Sequence, residues 1–266
     1  MKLPNHITLN YFSGRGYQPV QVLVNDGRKA GATLNQFGFE LISHRSGVQD
    51  WFSQQEVNAK HYGEIGALAK QLTGCDFVLF YPALLRNPEA TKVSEDFHPI
   101  QGVHADYTES YSTMIQDPGH PYHKVISQFM PAAGVTSADV VGASRIRTLQ
   151  FWRNIGPAEV DYPLAICDTR TVSRDELISI MVETYGGLLT RFESFLVRGD
   201  KAEKHSWYTF PDLRADELLM FLAFDSDKAK LGERFWTPHA AFLNPDADEA
   251  TPARESIEMR AICFWH

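Results

Sequence analysis

The chain has 266 residues, of which 44% are hydrophobic and 22% are charged, and its formal net charge is −8. This composition is ordinary for a globular protein and is sufficient to bury a sizeable core. The acidic balance argues against a protein that binds the phosphate backbone of nucleic acids, and the longest apolar run, residues 218–224, is far shorter than the roughly 20 residues that a membrane-spanning helix needs.

The first half of the chain is predicted to begin with strands and to continue through helices. Residues 1–50 contain short strand-like segments separated by turns. A helix is predicted over residues 58–72, where apolar residues recur at helical spacing and Gly74 follows as a C-cap. Residues 76–84 form a dense β-type run, and residues 107–143 are predicted to be helical or irregular because prolines interrupt their pattern.

The second half is predicted to consist mostly of strands. Residues 145–155 alternate between polar and apolar side chains, and residues 162–168 are predicted to form a neighbouring strand. Residues 173–176 form a capping box, which predicts a helix over residues 175–185. Residues 244–253 are predicted to form a hairpin-type loop. The other strand-like segments are residues 207–210, 217–225, 236–242 and 254–265.

This arrangement of segments bears on the fold class. Several strands with irregular interruptions, without a regular alternation of strands and helices, favour an antiparallel sandwich or barrel that carries a few helices. No composition shift or linker marks a domain boundary. We therefore expect a single domain over residues 1–266.

The cysteines and the start of the chain bear on the compartment. Cys75, Cys167 and Cys263 are far apart and odd in number, which indicates reduced, mostly buried thiols. The first residues lack the apolar segment of a secretory signal. Both observations predict a cytoplasmic protein.

His104 and Asp106 are separated by one residue at the end of a moderately apolar run. In an extended segment, residues two apart point to the same face, so the imidazole and the carboxylate converge. Such a pair can hold a metal ion, can form an internal pair, or can simply lie side by side at a strand end. A metal site would need at least one more ligand from elsewhere in the chain.

His239 is the histidine best placed to complete such a site. It follows a tryptophan-bearing segment and precedes an apolar pair, whereas most other histidines lie in polar or proline-rich loops. Two histidines and one carboxylate on one face of a metal form the facial triad of non-haem Fe(II) oxygenases. His104, Asp106 and His239 are therefore candidate Fe(II) ligands, and the alternative is a set of unrelated polar residues.

Arg254 and Ser256 share one face of the last predicted strand because they are two residues apart. A guanidinium group offers two parallel N–H donors to the two oxygens of a carboxylate, and a neighbouring hydroxyl adds a third donor. These residues are expected to follow His239 after a short hairpin. They are a candidate receptor for a carboxylate near the metal.

The order H-x-D, then H, then R-x-S resembles that of the Fe(II)/2-oxoglutarate-dependent dioxygenase superfamily. Longer segments are similar to the fungal and bacterial hydroxylase/desaturase family that includes the AsaB-type and cephalosporin-methoxylase-related proteins. The resemblance covers about residues 8 to 265, and its last segment is the most specific. The segments read TLNYF, GFELISH, YGEIGALAKQLTGCDFVLFYPALLRN, VHADYT, LQFWRNIGPAEVDYPLAICDTRTV, WYTFPDLRADELLMFLAFDS and PHAAFLNPDADEATPARESIEMRAICF.

The resemblance implies a mainly β fold with flanking helices, namely a double-stranded β-helix (jelly roll, cupin-like). It implies that His104, Asp106 and His239 are the catalytic ligands of Fe(II). Arg254, with Ser256, would then bind the distal carboxylate of 2-oxoglutarate. Gln150, where the family commonly carries asparagine, is a further candidate for the co-substrate pocket.

The implied reaction consumes O2 and 2-oxoglutarate, which becomes succinate and CO2, and hydroxylates or desaturates a small secondary-metabolite intermediate. Two alternatives stay open: a 2-oxoglutarate-independent, cupin-like metalloenzyme that uses Zn(II) or Mn(II), and a non-enzymatic binding protein on the same jelly roll. The expected partner is a small molecule, a natural-product intermediate, and we expect neither a nucleic-acid nor a membrane partner. The sequence carries no signal of the oligomeric state.

Overall fold

The computed structural model describes residues 3–266 as a mainly β protein with two sheets and several short helices. The strands are β1 (His6–Phe12), β2 (Tyr17–Asp26), β3 (Phe39–Ser43), β4 (Phe77–Arg86), β5 (His104–Ala105), β6 (Arg145–Asn154), β7 (Leu164–Cys167), β8 (Leu177–Tyr185), β9 (Leu188–Val197), β10 (Trp207–Thr209), β11 (Glu217–Asp225), β12 (His239–Ala241) and β13 (Ser256–Trp265). The helices are α1 (Leu34–Phe37), α2 (Gln54–Glu56), α3 (Tyr62–Thr73), α4 (Pro88–Thr91), α5 (Tyr111–Gln116), α6 (Pro121–Ser127), α7 (Met130–Ala133), α8 (Ser137–Val141) and α9 (Ser226–Lys230). A π-helical segment covers Val57–His61, and 3₁₀ turns cover Glu95–Phe97, Thr169–Thr171, Arg174–Glu176 and Ala202–Lys204.

The strands form an eight-stranded and a five-stranded sheet. The larger sheet has the order β1-β2-β10-β7-β12-β5-β9-β8, and the smaller has the order β3-β11-β6-β13-β4. Neighbouring strands of the described residues pair antiparallel except β2 and β10, which pair parallel. The short strands β5 and β12 are neighbours near the middle of the larger sheet.

The five-stranded sheet is buried on both faces. On β13, Ile262 and Phe264 belong to the apolar cluster that the smaller sheet shares with the larger one. The alternate residues Ala261 and Cys263 belong to a second cluster, which includes Ile65 of α3. Side chains alternate between the two faces of a strand. Every second residue of β13, counted back from Ile262, therefore points toward the larger sheet.

Most of the predicted elements are present. The predicted helix over residues 58–72 is the π-helical segment followed by α3, and Gly74 caps it in the left-handed conformation with its N–H donating to the carbonyl of Lys70. The β-type runs at residues 76–84 and 145–155 are β4 and β6. Cys75, Cys167 and Cys263 are free and buried. Among residues 3–266, no helix combines the length and apolar character that a bilayer crossing requires.

The helix predicted over residues 175–185 is wrong, because this segment is the strand β8. The capping box at residues 173–176 does form, but it caps only a 3₁₀ turn. Burial then alternates along β8, and Gly186 and Gly187, both with positive φ, turn the chain into β9. Two glycines between alternating segments are a hairpin signal, and here this signal outweighs the capping box.

The hairpin predicted over residues 244–253 is also wrong. β12 lies in the larger sheet and β13 in the smaller one, so this segment crosses between sheets. The crossing brings the start of β13 beside β6, with Ser256 opposite Asn154. The crossing therefore places Arg254 between the sheets, near Gln150, which was also predicted to bind the co-substrate.

Candidate metal and co-substrate site

The structure brings His104, Asp106 and His239 together. One candidate ligand atom from each of the three residues lies within 4.8 Å of the others. His104 on β5 pairs directly opposite His239 on β12, and their ring centroids are 4.3 Å apart. Two short neighbouring strands therefore hold two imidazoles side by side, and the H-x-D spacing brings the carboxylate to the same face.

Both imidazoles are oriented by backbone carbonyls. Nδ1 of His104 lies 2.8 Å from the carbonyl oxygen of Gly102, and Nδ1 of His239 lies 3.0 Å from that of Thr237. Since a carbonyl can only accept, each Nδ1 carries the proton and donates, which leaves Nε2 as the nitrogen with a free lone pair. Burial, and then the neighbouring His239, lower the pKa of His104 to about 3, so His104 is neutral, as a metal ligand must be.

Asp106 has one oxygen held and one oxygen free. Its Oδ1 accepts a hydrogen bond of 3.0 Å from Nη2 of Arg260, whereas its Oδ2 is buried with no hydrogen-bond partner. Burial is the largest single influence and raises the pKa of Asp106, but the neighbouring groups, first among them the guanidinium of Arg260, together hold the pKa below its usual value. The carboxylate is therefore ionised, and its orphaned oxygen is available to a cation.

The donor set fits a transition metal such as Fe(II). It combines two imidazole nitrogens with one carboxylate oxygen, which is the composition of the facial triad that leaves further coordination positions open. The site is enclosed: His239 is 6% exposed and Asp106 is 5% exposed. Without a cation, the buried Oδ2 of Asp106 would carry an uncompensated desolvation cost.

A narrow cavity beside His104 and His239 is lined by two of the three residues that were predicted to bind the co-substrate. Gln150 on β6 and Arg254 before β13 both line it, and we call it the arginine cavity. Arg86 and Arg260 also line it. Ser256 does not line this cavity, and Asp106 lines a neighbouring one.

Arg254 differs from the other two arginines because it has no carboxylate partner. Arg86 pairs with Glu258 at 2.9 Å and Arg260 pairs with Asp106 at 3.0 Å. Within residues 3–266, no carboxylate lies within ion-pair distance of Arg254, and its Nε is buried without a partner. Burial, and then Arg86, lower the pKa of Arg254 to about 9, which leaves it a cation at neutral pH.

Further buried polar atoms in this part of the structure lack partners. Among them are Oε1 of Gln150 and Oγ of Ser256. Buried polar groups in native proteins are nearly always hydrogen-bonded, so three orphaned groups in one region indicate a missing polar ligand. A carboxylate suits the unpaired guanidinium of Arg254 and the hydroxyl of Ser256.

The sequence interpretation missed the ion-pair network that supports this site. Glu258 accepts hydrogen bonds from Arg86 and from the hydroxyl of Tyr185, and its carboxylate also lies 3.6 Å from Arg260. Ser256, Glu258 and Arg260 are two residues apart and therefore share one face of β13, and Arg254 precedes them at the same spacing. The spacing of two residues that predicted Arg254 and Ser256 was also the available signal for Glu258 and Arg260.

Substitution of Arg260 tests whether it orients the metal ligand. In Arg260→Met, Asp106 loses the hydrogen bond that fixes its Oδ1, and we expect Fe(II) affinity to fall by about 10–100-fold, the usual cost of removing a partner of a metal ligand. Arg260→Lys retains a donor and should recover part of this loss. Anaerobic equilibrium dialysis against Fe(II), with circular dichroism to confirm folding, measures both.

The control for Arg260 is Arg147→Met. Arg147 lies on β6 and forms a comparable bridge, at 2.6 Å, to the buried Asp225. This variant should keep the Fe(II) affinity of the parent protein. Unchanged Fe(II) affinity in a folded Arg260→Met protein would show that Arg260 does not position Asp106.

Comparison with known proteins gives one family and several relatives along nearly the whole chain. A family model described as "Oxidoreductase/YMDC permease-like domain" matches residues 6–264. The hydroxylase/desaturase efuI of Hormonema carpetanum is 28% identical, over 94% of this chain and 85% of that protein. The gibberellin cluster GA4 desaturase of Gibberella fujikuroi is 30% identical, over 88% of this chain and 83% of its own length.

A third relative is known from both its sequence and its structure. The Fe(II)/2-oxoglutarate-dependent dioxygenase nvfI of Aspergillus novofumigatus is 26% identical, over 93% of this chain and 84% of that protein. A solved structure titled as the iron and alpha-ketoglutarate-dependent endoperoxidase NvfI superposes with a TM-score of 0.75 and 21% identity, covering 98% of this chain and 97% of that one. The structural likeness shows that the two chains share a fold.

Proposed function

We propose a function from one premise: this chain belongs to the oxidoreductase family of the hydroxylase/desaturases and Fe(II)/2-oxoglutarate-dependent dioxygenases. It is a non-haem Fe(II)/2-oxoglutarate-dependent oxygenase that hydroxylates or desaturates a small molecule of secondary metabolism. The observation that carries this assignment is the convergence of His104, Asp106 and His239 beside the unpaired, buried Arg254.

Each predicted site residue has a role in this proposal. His104 and His239 bind Fe(II) through Nε2, and Asp106 binds it through Oδ2, which is free because Arg260 holds Oδ1. Arg254 and Ser256 bind the distal carboxylate of 2-oxoglutarate, and Gln150 forms a hydrogen bond with the co-substrate. When bound, Fe(II) with 2-oxoglutarate and O2 supplies the oxidant for the C–H bond of the substrate and leaves succinate and CO2.

The protein itself contributes orientation and a dry environment. The ring of Phe221 packs against His239 with centroids 4.6 Å apart, and the guanidinium of Arg254 lies over Trp152 at 5.7 Å. Apolar side chains in these positions exclude water from the ligands and prevent side reactions of the oxidant. They also limit the motion of His239 and Arg254, which keeps both groups oriented toward the cavity.

We further propose the architecture that the resemblance implied. The two facing, mostly antiparallel sheets, with β5, β12 and β13 carrying the site, are consistent with a double-stranded β-helix. Residues 1–266 would then act as one dioxygenase domain. The proposed compartment is the cytoplasm, where free thiols such as the buried Cys75, Cys167 and Cys263 persist.

The test of this function is the conversion of 2-oxoglutarate to succinate by the protein reconstituted with iron under anaerobic conditions and then exposed to O2. We expect succinate to form only when Fe(II), 2-oxoglutarate and O2 are all present, slowly without substrate and faster with it. Replacement of Fe(II) by Zn(II) should stop it. Activity on a substrate with Zn(II) or Mn(II) and no 2-oxoglutarate would contradict the proposal and favour the cupin-like metalloenzyme.

A further inference from the structure

A second cavity adjoins the arginine cavity at the proposed metal site. It has a volume of about 280 Å³, and we call it the apolar cavity. His104, Tyr185 and Arg260 line both cavities, whereas Asp106 lines only the apolar cavity. The apolar cavity therefore reaches two of the proposed iron ligands, His104 and Asp106, without passing Arg254.

The wall of this cavity comes mainly from the β8–β9 hairpin and is hydrophobic. Its aliphatic residues and its phenylalanine are Ile100, Ile180, Val182, Phe192 and Leu196. Two hydroxyl groups of the wall are already engaged: that of Ser194 donates to the carbonyl of Ala105, and that of Tyr185 donates to Glu258. The interior thus favours apolar surface and offers few free donors.

The charges that line the cavity are negative or neutralised. Arg260 is the one arginine or lysine among the described residues that line it, and it lies against the carboxylates of Asp106 and Glu258. Glu95 and Asp96 also line it, and the side chain of Glu95 is almost fully exposed, which places it at the mouth. An anionic ligand would meet two carboxylates at the entrance and no free cation inside.

We propose that the apolar cavity receives the reacting part of the substrate, and that this part is hydrophobic and either uncharged or cationic. This inference rests on the proposed function, because it assigns the substrate to the iron site formed by His104 and Asp106. A substrate that enters through a carboxylate, a phosphate or a phosphate-bearing carrier is excluded, since burying an anion without a cationic partner is strongly unfavourable.

The cavity volume limits the size of the buried group. At ~30 Å³ per water molecule, 280 Å³ is the space of about nine waters, so the group that enters has roughly ten non-hydrogen atoms. A larger substrate would leave its remainder at the mouth, beside Tyr17 and Glu95. Rigid cage hydrocarbons of this size are therefore suitable probes.

Three probes with one carbon skeleton test the proposed charge preference: 1-adamantanol, 1-adamantylamine and 1-adamantanecarboxylate. Calorimetry and saturation-transfer NMR on the metal-free protein measure their binding and prevent the carboxylate from binding through iron. We expect the alcohol and the amine to bind at least about tenfold more tightly than the carboxylate. Comparable affinity for the carboxylate, or no binding of any of the three probes, would overturn the proposal.

A charge placed in the wall tests the location. Val182→Arg puts a cation inside the cavity, so the carboxylate should become the tightest of the three probes and the amine the weakest. The matched control is Met181→Arg, because Met181 is the next residue on β8, is 51% exposed and does not line the cavity. An identical change in both variants, or no change in Val182→Arg, would show that the probes bind elsewhere.

The failure of this inference is distinguishable from the failure of the proposed function. Probe binding is measured without iron, and succinate formation is measured without probes. Succinate formation together with the wrong order of probe affinities would reject only the substrate class. The expected order of affinities without succinate formation would reject the oxygenase function and leave an apolar binding site.

Discussion

His239→Ala is expected to abolish both iron binding and succinate formation. Removal of the partner of a metal ligand costs about 10–100-fold in affinity, so removal of a ligand itself should cost more than about 100-fold. The fold should survive, because the side chain of His239 makes a hydrogen bond only to the carbonyl of Thr237. Anaerobic Fe(II) dialysis and the shift in melting temperature on addition of Fe(II) measure the loss, since a ligand at 100 times its Kd adds about 2.7 kcal/mol of stability.

His205→Ala is the matched control for His239→Ala. The two histidines are equally buried, at 6% exposure, but His205 forms hydrogen bonds with Glu176 and Tyr11 in the core, away from the proposed site. This variant should be less stable than the parent protein and should still bind one Fe(II) per chain. Equal iron affinity in the two variants would contradict the ligand role of His239.

The second large effect is expected for Arg254→Met, on the co-substrate. The guanidinium would lose two charge-assisted hydrogen bonds to a carboxylate, each worth about 1.5–3 kcal/mol, so KM for 2-oxoglutarate should rise by roughly 10²–10⁴-fold. Iron affinity should not change, because Arg254 contacts none of the three ligands. Initial rates of succinate formation over a range of 2-oxoglutarate concentrations measure the effect.

The melting temperature of the ligand-free Arg254→Met protein distinguishes a residue that binds a ligand from one that stabilises the fold. Arg254 is buried with an unsatisfied Nε, no carboxylate partner and a single side-chain hydrogen bond, from Nη1 to the carbonyl of Tyr162 at 3.2 Å, so its replacement by an apolar side chain should change the melting temperature of the ligand-free protein little. Arg153 is a matched control: it is also buried, but it makes more hydrogen bonds, to the carbonyls of His44 at 2.9 Å and of Ala215 and to Nδ1 of His44 at 2.7 Å. Arg153→Met should lower the melting temperature and leave KM for 2-oxoglutarate unchanged.

The opposite pattern would contradict the role of Arg254. A folded Arg254→Met protein with unchanged KM for 2-oxoglutarate would show that the co-substrate binds elsewhere. Activity that persists in this variant without any 2-oxoglutarate would indicate a different chemistry at the same metal.

The local signals in the sequence were sufficient for most elements of the fold. A dense β-type run predicted β4, the alternation of polar and apolar residues predicted β6, and the H-x-D spacing predicted that His104 and Asp106 share a face. The pairing of His104 with His239 depends on β5 and β12 lying side by side. No local pattern contains this contact, so the sequence supported it only through the order of the residues and the family resemblance.

The errors arose where two local signals competed or where strands change sheets. At residues 173–185, a genuine capping box predicted a helix, whereas the β-branched residues and the Gly186-Gly187 turn produced a hairpin stabilised by its pairing with β9. Residues 244–253 have the composition of a hairpin turn, but β12 and β13 pair with other strands. Tertiary pairing decides both cases, and it does not appear in a short window of sequence.

The ion-pair network was missed for a related reason. Glu258 and Arg260 lie on the predicted face of β13, but their partners Arg86, Asp106 and Tyr185 come from three other parts of the chain. Only the register of β13 against β4 and β6 brings these groups together. A charged residue in a strand is otherwise typical of a solvated surface.

The central claim is that one ferrous ion and one 2-oxoglutarate meet between the two sheets. The most direct measurement is anomalous diffraction at the iron edge from crystals grown anaerobically with Fe(II) and 2-oxoglutarate. We expect one anomalous peak within bonding distance of His104, Asp106 and His239, with a 2-oxoglutarate carboxylate on Arg254. A peak located elsewhere, or a co-substrate that does not touch Arg254, would contradict the assignment.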